Sequence, residues 1–171
     1  PLKVAVNVSA RAICHAGIVD TVRNILIETG LPAARFEIEV TETALINDLS
    51  RALHNLRQIK ATGVAIAMDD FGTGYSSLSL LSSFPFDKIK IDRSFVRDLA
   101  ANPDAQAIVR SIISLGKGLG VTITAEGVET LDQRETVQNL GCTQMQGYLF
   151  SAARPAQEIR TLLASRKASV E

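Results

Sequence analysis

Hydrophobic positions along this chain follow two periods, and the two take turns. Strict in-and-out alternation predicts strands over Lys3–Ser9, Phe36–Glu42, Lys88–Asp92, Val121–Glu126 and Gln144–Tyr148. Val64–Met68 is a short apolar run with no turn residue in it. Bounded by Gly63 on one side and by Gly72 and Gly74 on the other, it predicts a buried strand. Between these lie helical spacings. Ile18, Val22, Ile25 and Leu26 predict a helix ended by Gly30. Leu53, Leu56 and Ile59 predict another, capped by Asp48 or Ser50 and closed by Gly63. Ser76 or Ser77 can cap a short helix, which Ser83-Phe84-Pro85 ends. Asn102-Pro103-Asp104 starts a helix with Ile108, Ile112 and Leu115 that ends in a glycine-rich tail at Gly116, Gly118 and Gly120. Thr130 and Gln133 form a capping box for a helix closing at Gly141. Pro155 opens a last helix, and the charged tail after Arg166 is expected to fray. No linker, repeat or low-complexity tract interrupts the order, so residues 1–171 read as one domain.

Strand–helix alternation calls for a parallel sheet. The facing of the strands narrows it further. Ile38 and Val40 oppose Glu39. Ile66 and Met68 oppose Ala67 and Asp69, and Ile89 and Ile91 oppose Lys90 and Asp92. Val4, Val6 and Val8 oppose Ala5 and Asn7; Ile123 opposes Thr124 and Glu126; Met145 opposes Gln146. Each strand has one greasy face to set against helices and one small or polar face. Near its C-terminal end that second face carries Asn7, Glu39, Asp69, Lys90, Glu126 or Gln146. A doubly wound sheet wants both faces apolar. Polar faces converging at one end suit a TIM-like (β/α) barrel whose rim is an active site. A barrel has eight strands and usually about 250 residues, so this α/β chain is expected to hold six of the eight β-α units.

That rim is rich in oxygen. Glu39, Asp69 and Glu126 face inward, Asp70 stands beside Asp69, and Asn7 adds an amide; no histidine or cysteine joins them. Hard oxygen ligands select Mg²⁺ or Mn²⁺ over zinc. The adjacent pair Asp69-Asp70 can serve two ions with one carboxylate bridging. Two ions about 3.5–4 Å apart are the usual arrangement for phosphoester hydrolysis. Lys90 adds a point charge for phosphoryl oxygens or an attacking water. A set of buried salt bridges around Lys90 is the structural alternative, but one lysine cannot neutralise four carboxylates. From spacing alone, Glu42 reads equally as a site residue or a loop acid, and Glu129 as a site residue or a first-turn helix acid.

Composition removes other classes. Lysine plus arginine (18) equals aspartate plus glutamate (18), which gives no reason for binding to a nucleic-acid polymer or an anionic membrane. No apolar run approaches the roughly 20 residues of a membrane span. Cys14 and Cys142 make no disulfide framework and read as free thiols of a reducing, cytoplasmic setting. His15 and His54 read as structural. Asp70-Phe71-Gly72 occurs also in kinases, but no phosphate-covering glycine loop or His-Arg-Asp loop accompanies it.

The motifs Asn7-Val8-Ser9, Glu39-Val40-Thr41-Glu42, Asp69 through Ser77, Lys90-Ile91-Asp92, Ala125 through Glu129 and Gln146-Gly147-Tyr148 resemble, in order, those of the EAL domain family of bacterial cyclic di-GMP phosphodiesterases. The likeness runs from residue 1 to about 160. It implies a barrel whose first strand is antiparallel to the rest. It also implies hydrolysis of cyclic di-GMP to linear pGpG with two Mg²⁺ or Mn²⁺ ions. By motif, Asn7, Glu39 and Asp69 would hold one ion, and Asp69 and Asp70 the second. Lys90 would orient the water or the phosphate, and Glu126 would act as base or as water ligand. Glu42, Asp92, Glu129 and Gln146 would support substrate or the 69–77 loop. That loop would couple homodimerisation to activity, and sensory or GGDEF-type domains would flank the domain in a parent protein, itself cytoplasmic or membrane-anchored.

The Glu-Ala-Leu motif that names the family does not occur here. Glu42-Thr43-Ala44-Leu45 falls on the wrong strand. The motif's glutamate is expected upstream of Pro1, with the two further strands of the barrel, and residues 1–171 alone are expected not to turn over substrate. Two functions compete: a phosphodiesterase, and a module that binds cyclic di-GMP without cleaving it. The filled ligand positions favour the enzyme; an unrelated metal-dependent barrel hydrolase comes third.

Overall fold

The computed structural model describes residues 2–42, 48–73, 81 and 83–161. Six strands form one sheet in chain order: β1 (Val4–Asn7), β2 (Phe36–Thr41), β3 (Ala65–Phe71), β4 (Lys88–Ile91), β5 (Thr122–Ala125) and β6 (Gln144–Met145). Every neighbouring pair is parallel. Parallel strands in sequential order require a crossover on the same side each time. The result is an arc of a (β/α) barrel, with helices outside and the polar faces within.

Among the described residues, the long crossover helices are α2 (Ile18–Thr29), α3 (Leu49–Ala61), α5 (Pro103–Leu119) and α6 (Leu131–Asn139). Their ends follow the expected chemistry. Gly30 and Gly120 close α2 and α5 in the left-handed conformation. Asp48 caps α3 through the Arg51 amide, and Asn102 caps α5 ahead of Pro103. The Thr130–Gln133 capping box is formed in both directions. Outward strand residues Ile38, Ile66, Ile89 and Ile91 are fully buried against Leu56 and Ile59 of α3 and Val109 and Ile113 of α5.

Several boundaries differ from those the pattern predicts. A short helix α1 (Ala10–Ile13) follows β1, because the Ser9 hydroxyl accepts the Ala12 amide and turns the chain. The α5 helix runs through Gly116 and Gly118 to Leu119 rather than dissolving into a glycine tail. Gly116 is there for clearance: a Cβ on it would lie 2.2 Å from Ile123 Cδ1. The β4 strand stops at Ile91, since Asp92 caps the helix α4 (Arg93–Arg97) through the Ser94 amide. The β6 strand ends at Met145, short of Tyr148. Val4 and Val6 do not pack on helices; they are 48% and 42% exposed on a terminal strand. A helix over 156–161 follows Pro155. The expected Ser76 or Ser77 cap and the tail after Arg166 lie outside the described residues.

Gly116→Ala tests the close approach. The gain in helix propensity is about 1 kcal/mol, against about 1–3 kcal/mol for forcing a methyl into a filled space. The urea midpoint should fall with an unchanged m-value; a raised midpoint would show that Ile123 yields freely.

Candidate functional site: a carboxylate cluster around Lys90

Register sets the height of each side chain. Asn7 lies beside Glu39 across β1 and β2, Glu39 beside Ala67, and Lys90 beside Thr124. Asp69 is two residues beyond Ala67 on the same face, and Glu126 two beyond Thr124. All of these groups therefore stand at the C-terminal end of the sheet.

The centre of the cluster is Lys90. Its Nζ lies 2.7 Å from a Glu39 oxygen, 3.0 Å from Asp69 and 2.6 Å from Glu126. Burial alone would lower the Lys90 ammonium. Its hydrogen bonds to Glu126 and Glu39 outweigh that and push it above its ordinary value, so it stays protonated. Glu126 is raised as well, for a different reason. Burial raises its carboxyl, Lys90 opposes this, and the charges of Asp69 and Glu39 add to the rise. The Gln146 amide donates to Glu126 from the end of β6.

Asp70 reaches the same place by a distortion. Plain alternation would turn it to the opposite face from Asp69. Instead the β3–β4 register shifts between Met68 and Phe71, and Asp70 adopts φ 54°, the one positive φ outside glycine among the described residues. A bulge with a left-handed residue re-aims a side chain at some cost in strain. Its amide donates to Asp69 Oδ1 at 3.1 Å. Burial raises the Asp70 carboxyl, and repulsion from Asp69 and then Asp92 raises it further, against Lys90 and Arg93.

Asp69, Asp70 and Glu126 each offer an oxygen within 4.8 Å of the others'. With Glu39, four carboxylates share one lysine, and two of them are held above their ordinary range. The set is all oxygen, negative in sum and short of cationic charge, and so fits one or two hard divalent ions.

The remaining expected residues lie around this centre. Asn7 is exposed at the end of β1. Glu42 is buried just past β2. Asp92 is held below its ordinary value: burial would raise it, but hydrogen bonds from Ser94 and the Arg93 backbone prevail. Glu129 and Asp92 line a cleft of about 460 Å³ with Arg93, Arg97 and Gln133. Two features went unread. Glu37 and Lys88 pair at 2.7 Å one layer below Glu39 and Lys90. The same alternation, taken two residues back, would have found them. Gln133 was read only as a cap.

Comparison with known proteins fits this geometry. A family model of the EAL domain matches residues 1–153. The chain belongs to the EAL domain family. A bifunctional diguanylate cyclase/cyclic di-GMP phosphodiesterase, MucR of Pseudomonas aeruginosa, is 46% identical over 156 residues, 91% of this chain and 23% of that protein. The solved MucR phosphodiesterase in complex with c-di-GMP superposes with a TM-score of 0.87 at 45% identity, covering 92% of this chain and 64% of that one. The EAL domain of Mycobacterium smegmatis DcpA gives 0.91 at 42% identity, covering 95% and 73%. BlrP1 of Klebsiella pneumoniae, solved with manganese and cyclic di-GMP at pH 6, gives 0.82 at 39% identity, covering 88% and 38%. The chain spans about a fifth to a quarter of the length of the curated relatives it matches. No helix among the described residues is long and apolar enough to cross a membrane.

Proposed function

We propose that this chain, as part of its complete domain, hydrolyses cyclic di-GMP to linear pGpG with two divalent ions, Mg²⁺ or Mn²⁺. The observation that carries the reading is the Asp69, Asp70 and Glu126 oxygen cluster, with Glu39 joined to it through Lys90. Asn7, Glu39 and Asp69 would hold one ion, Asp69 and Asp70 the other. When bound, the ions supply charge stabilisation for the attacking and leaving oxygens. Lys90 keeps the carboxylates converged and presents a permanent positive charge to a phosphoryl oxygen or to the water. Glu126, raised above its ordinary value, is suited to hold that water or take its proton. Gln146 steadies Glu126, and Asp92 biases Asp70. Glu42 and Glu129 support the loops that carry the acids.

The complexes of MucR and BlrP1 with cyclic di-GMP support the substrate, and the manganese in BlrP1 supports the ion. A homodimer, flanking sensory or GGDEF-type domains and a cytoplasmic site of action belong to the same proposal. A module that bound without cleaving would need fewer of these acids; every ligand position that residues 1–171 cover is filled.

The test is turnover by the full-length parent protein after chelation and after adding back Mg²⁺, Mn²⁺ or Ca²⁺, since residues 1–171 alone are expected to be inactive. Chelated protein should make no pGpG, and Mg²⁺ or Mn²⁺ should restore it. Tight binding of intact cyclic di-GMP with every ion, and no product, would hand the case to the binding module.

A further inference from the structure

The β4–β5 ladder ends where the Glu126 amide donates to the Ile91 carbonyl at 3.1 Å. Beyond it the two chains part. One enters α4 through Asp92; the other runs through Gly127, Val128 and Glu129 into α6. The Lys90–Glu126 contact of 2.6 Å sits at this fork. The Gln133 side chain bridges it by hydrogen bonds. Gln133 is 8% exposed, and its Oε1 accepts the amides of Glu129 at 2.8 Å and Thr130 at 3.1 Å. Its Nε2 donates to the Arg97 carbonyl at the end of α4, at 3.0 Å. Turning the amide over would set its NH₂ against two N–H donors and its oxygen against a carbonyl, so the orientation is fixed.

A capping box needs only the first half of this. The bond to Arg97 is extra, and it is a tie between the segment that follows Lys90 and the segment that follows Glu126. Close contacts hold the same loop on its other sides. A Cβ on Gly127 would lie 2.4 Å from Arg93 Cβ, and one on Gly147 would lie 2.2 Å from the Val128 carbonyl oxygen. The Val128 amide also donates to Gln146, whose side chain bonds Glu126. The loop behind Glu126 is thus gripped on three sides, and Gln133 is the grip facing α4.

We propose that Gln133 is a positioning residue: by clasping the Glu129–Thr130 turn to the end of α4 it holds Glu126 against Lys90 and within reach of an ion shared with Asp69 and Asp70. Its bearing on the ion rests on the function proposed above. Its bearing on Glu126 does not.

Three variants separate the clasp from an ordinary cap. Gln133→Glu keeps the acceptor of the capping box but sets a carboxylate against the Arg97 carbonyl. Gln133→Met removes all three side-chain bonds without adding charge. Thr130→Ala breaks the other half of the box and leaves the Arg97 bond alone. Amide hydrogen exchange should report faster exchange at Glu126 and Val128 in both Gln133 variants, by about 5- to 10-fold, the equivalent of one hydrogen bond. Thr130→Ala should leave those two amides unchanged. Mn²⁺ binding should weaken about 10- to 100-fold in both Gln133 variants, as for loss of an outer-shell support. An added negative charge would by itself strengthen cation binding, so weakening in Gln133→Glu points to a displaced ligand. Wild-type exchange at Glu126 in both Gln133 variants would overturn the clasp, as would an equal loss in Thr130→Ala. Wild-type protein that binds no Mn²⁺ would strike the proposed function alone, and the exchange comparison would still decide the clasp.

Discussion

Lys90→Met should lower the stability of the metal-free protein by about 3–5 kcal/mol, the usual penalty for removing one partner of a buried ion pair. The ammonium is 4% exposed and serves Glu39, Asp69 and Glu126 together. Methionine keeps the stem's packing and removes only the charge. The carboxylates left behind then repel one another in a poorly solvated place. For a chain of 171 residues each kcal/mol shifts the melting temperature by about 2–4 °C, so a drop of roughly 6–20 °C is expected. Two further readings follow from the same charges. Removing Lys90 lets the Glu126 carboxyl rise further, since Lys90 was the group holding it down. A carboxyl raised above its unfolded value favours folding in its protonated form and loses that as pH rises through the folded value. The gap between wild type and variant should therefore narrow as pH falls through the carboxylate range. A divalent ion should stabilise the variant, by about 2.7 kcal/mol at a hundred times its dissociation constant for the variant. In the complete domain, turnover should be lost under all conditions. A variant as stable as wild type, and indifferent to Mn²⁺, would remove the charge argument from which the metal reading starts.

What the sequence made legible was whatever depends on period. Alternation gives the facing of a strand directly, so the inward set from Glu39 to Gln146 and the outward isoleucines were readable before any coordinates. The cap residues Asp48, Asn102 and Thr130 were readable because each has a short-range hydrogen-bonding reason to be where it is. What escaped depends on contacts between segments far apart in the chain. Gly116 looked like the end of a helix, because propensity counts only the entropy of glycine. The approach of Ile123, which makes glycine the residue that fits, is a tertiary fact. Val4 and Val6 looked buried, because alternation states which way a side chain faces and not whether anything covers it. Asp70 is the most instructive case. Its neighbour Asp69 made it a candidate ligand, but period 2 would have sent it outward. The register shift and the left-handed φ that bring it back are written in no local pattern. Gln133 was legible as half of a capping box; its second bond, to Arg97, spans 36 residues and was not.

In the complete domain, Asp69→Asn should abolish hydrolysis while leaving the fold intact, and the contrast with Asp70→Asn should separate the two ions. Asparagine is nearly the same size and can still accept from the Asp70 amide and from Lys90, so the local frame survives. Lys90 keeps Glu39 and Glu126, and Asp70 is relieved of a repulsion that raised it. The melting temperature of the metal-free variant should thus stay within a few degrees of wild type. The cluster nonetheless loses the one carboxylate assigned to both ions. An outer-shell support costs about 10- to 100-fold when removed, and a shared ligand should cost at least the upper end of that, about 100-fold or more in turnover. Asp70 serves only the second ion on this reading. Asp70→Asn should impair turnover yet retain one bound Mn²⁺ per chain and part of the affinity for substrate. Mn²⁺ stoichiometry by calorimetry or electron paramagnetic resonance reads the difference: two ions in wild type, one in Asp70→Asn, and none held tightly in Asp69→Asn. Near-normal turnover in Asp69→Asn, or two ions still bound, would sink the assignment of Asp69 as the bridge, because no other carboxylate in the cluster both pairs with Lys90 and adjoins Asp70 in the chain.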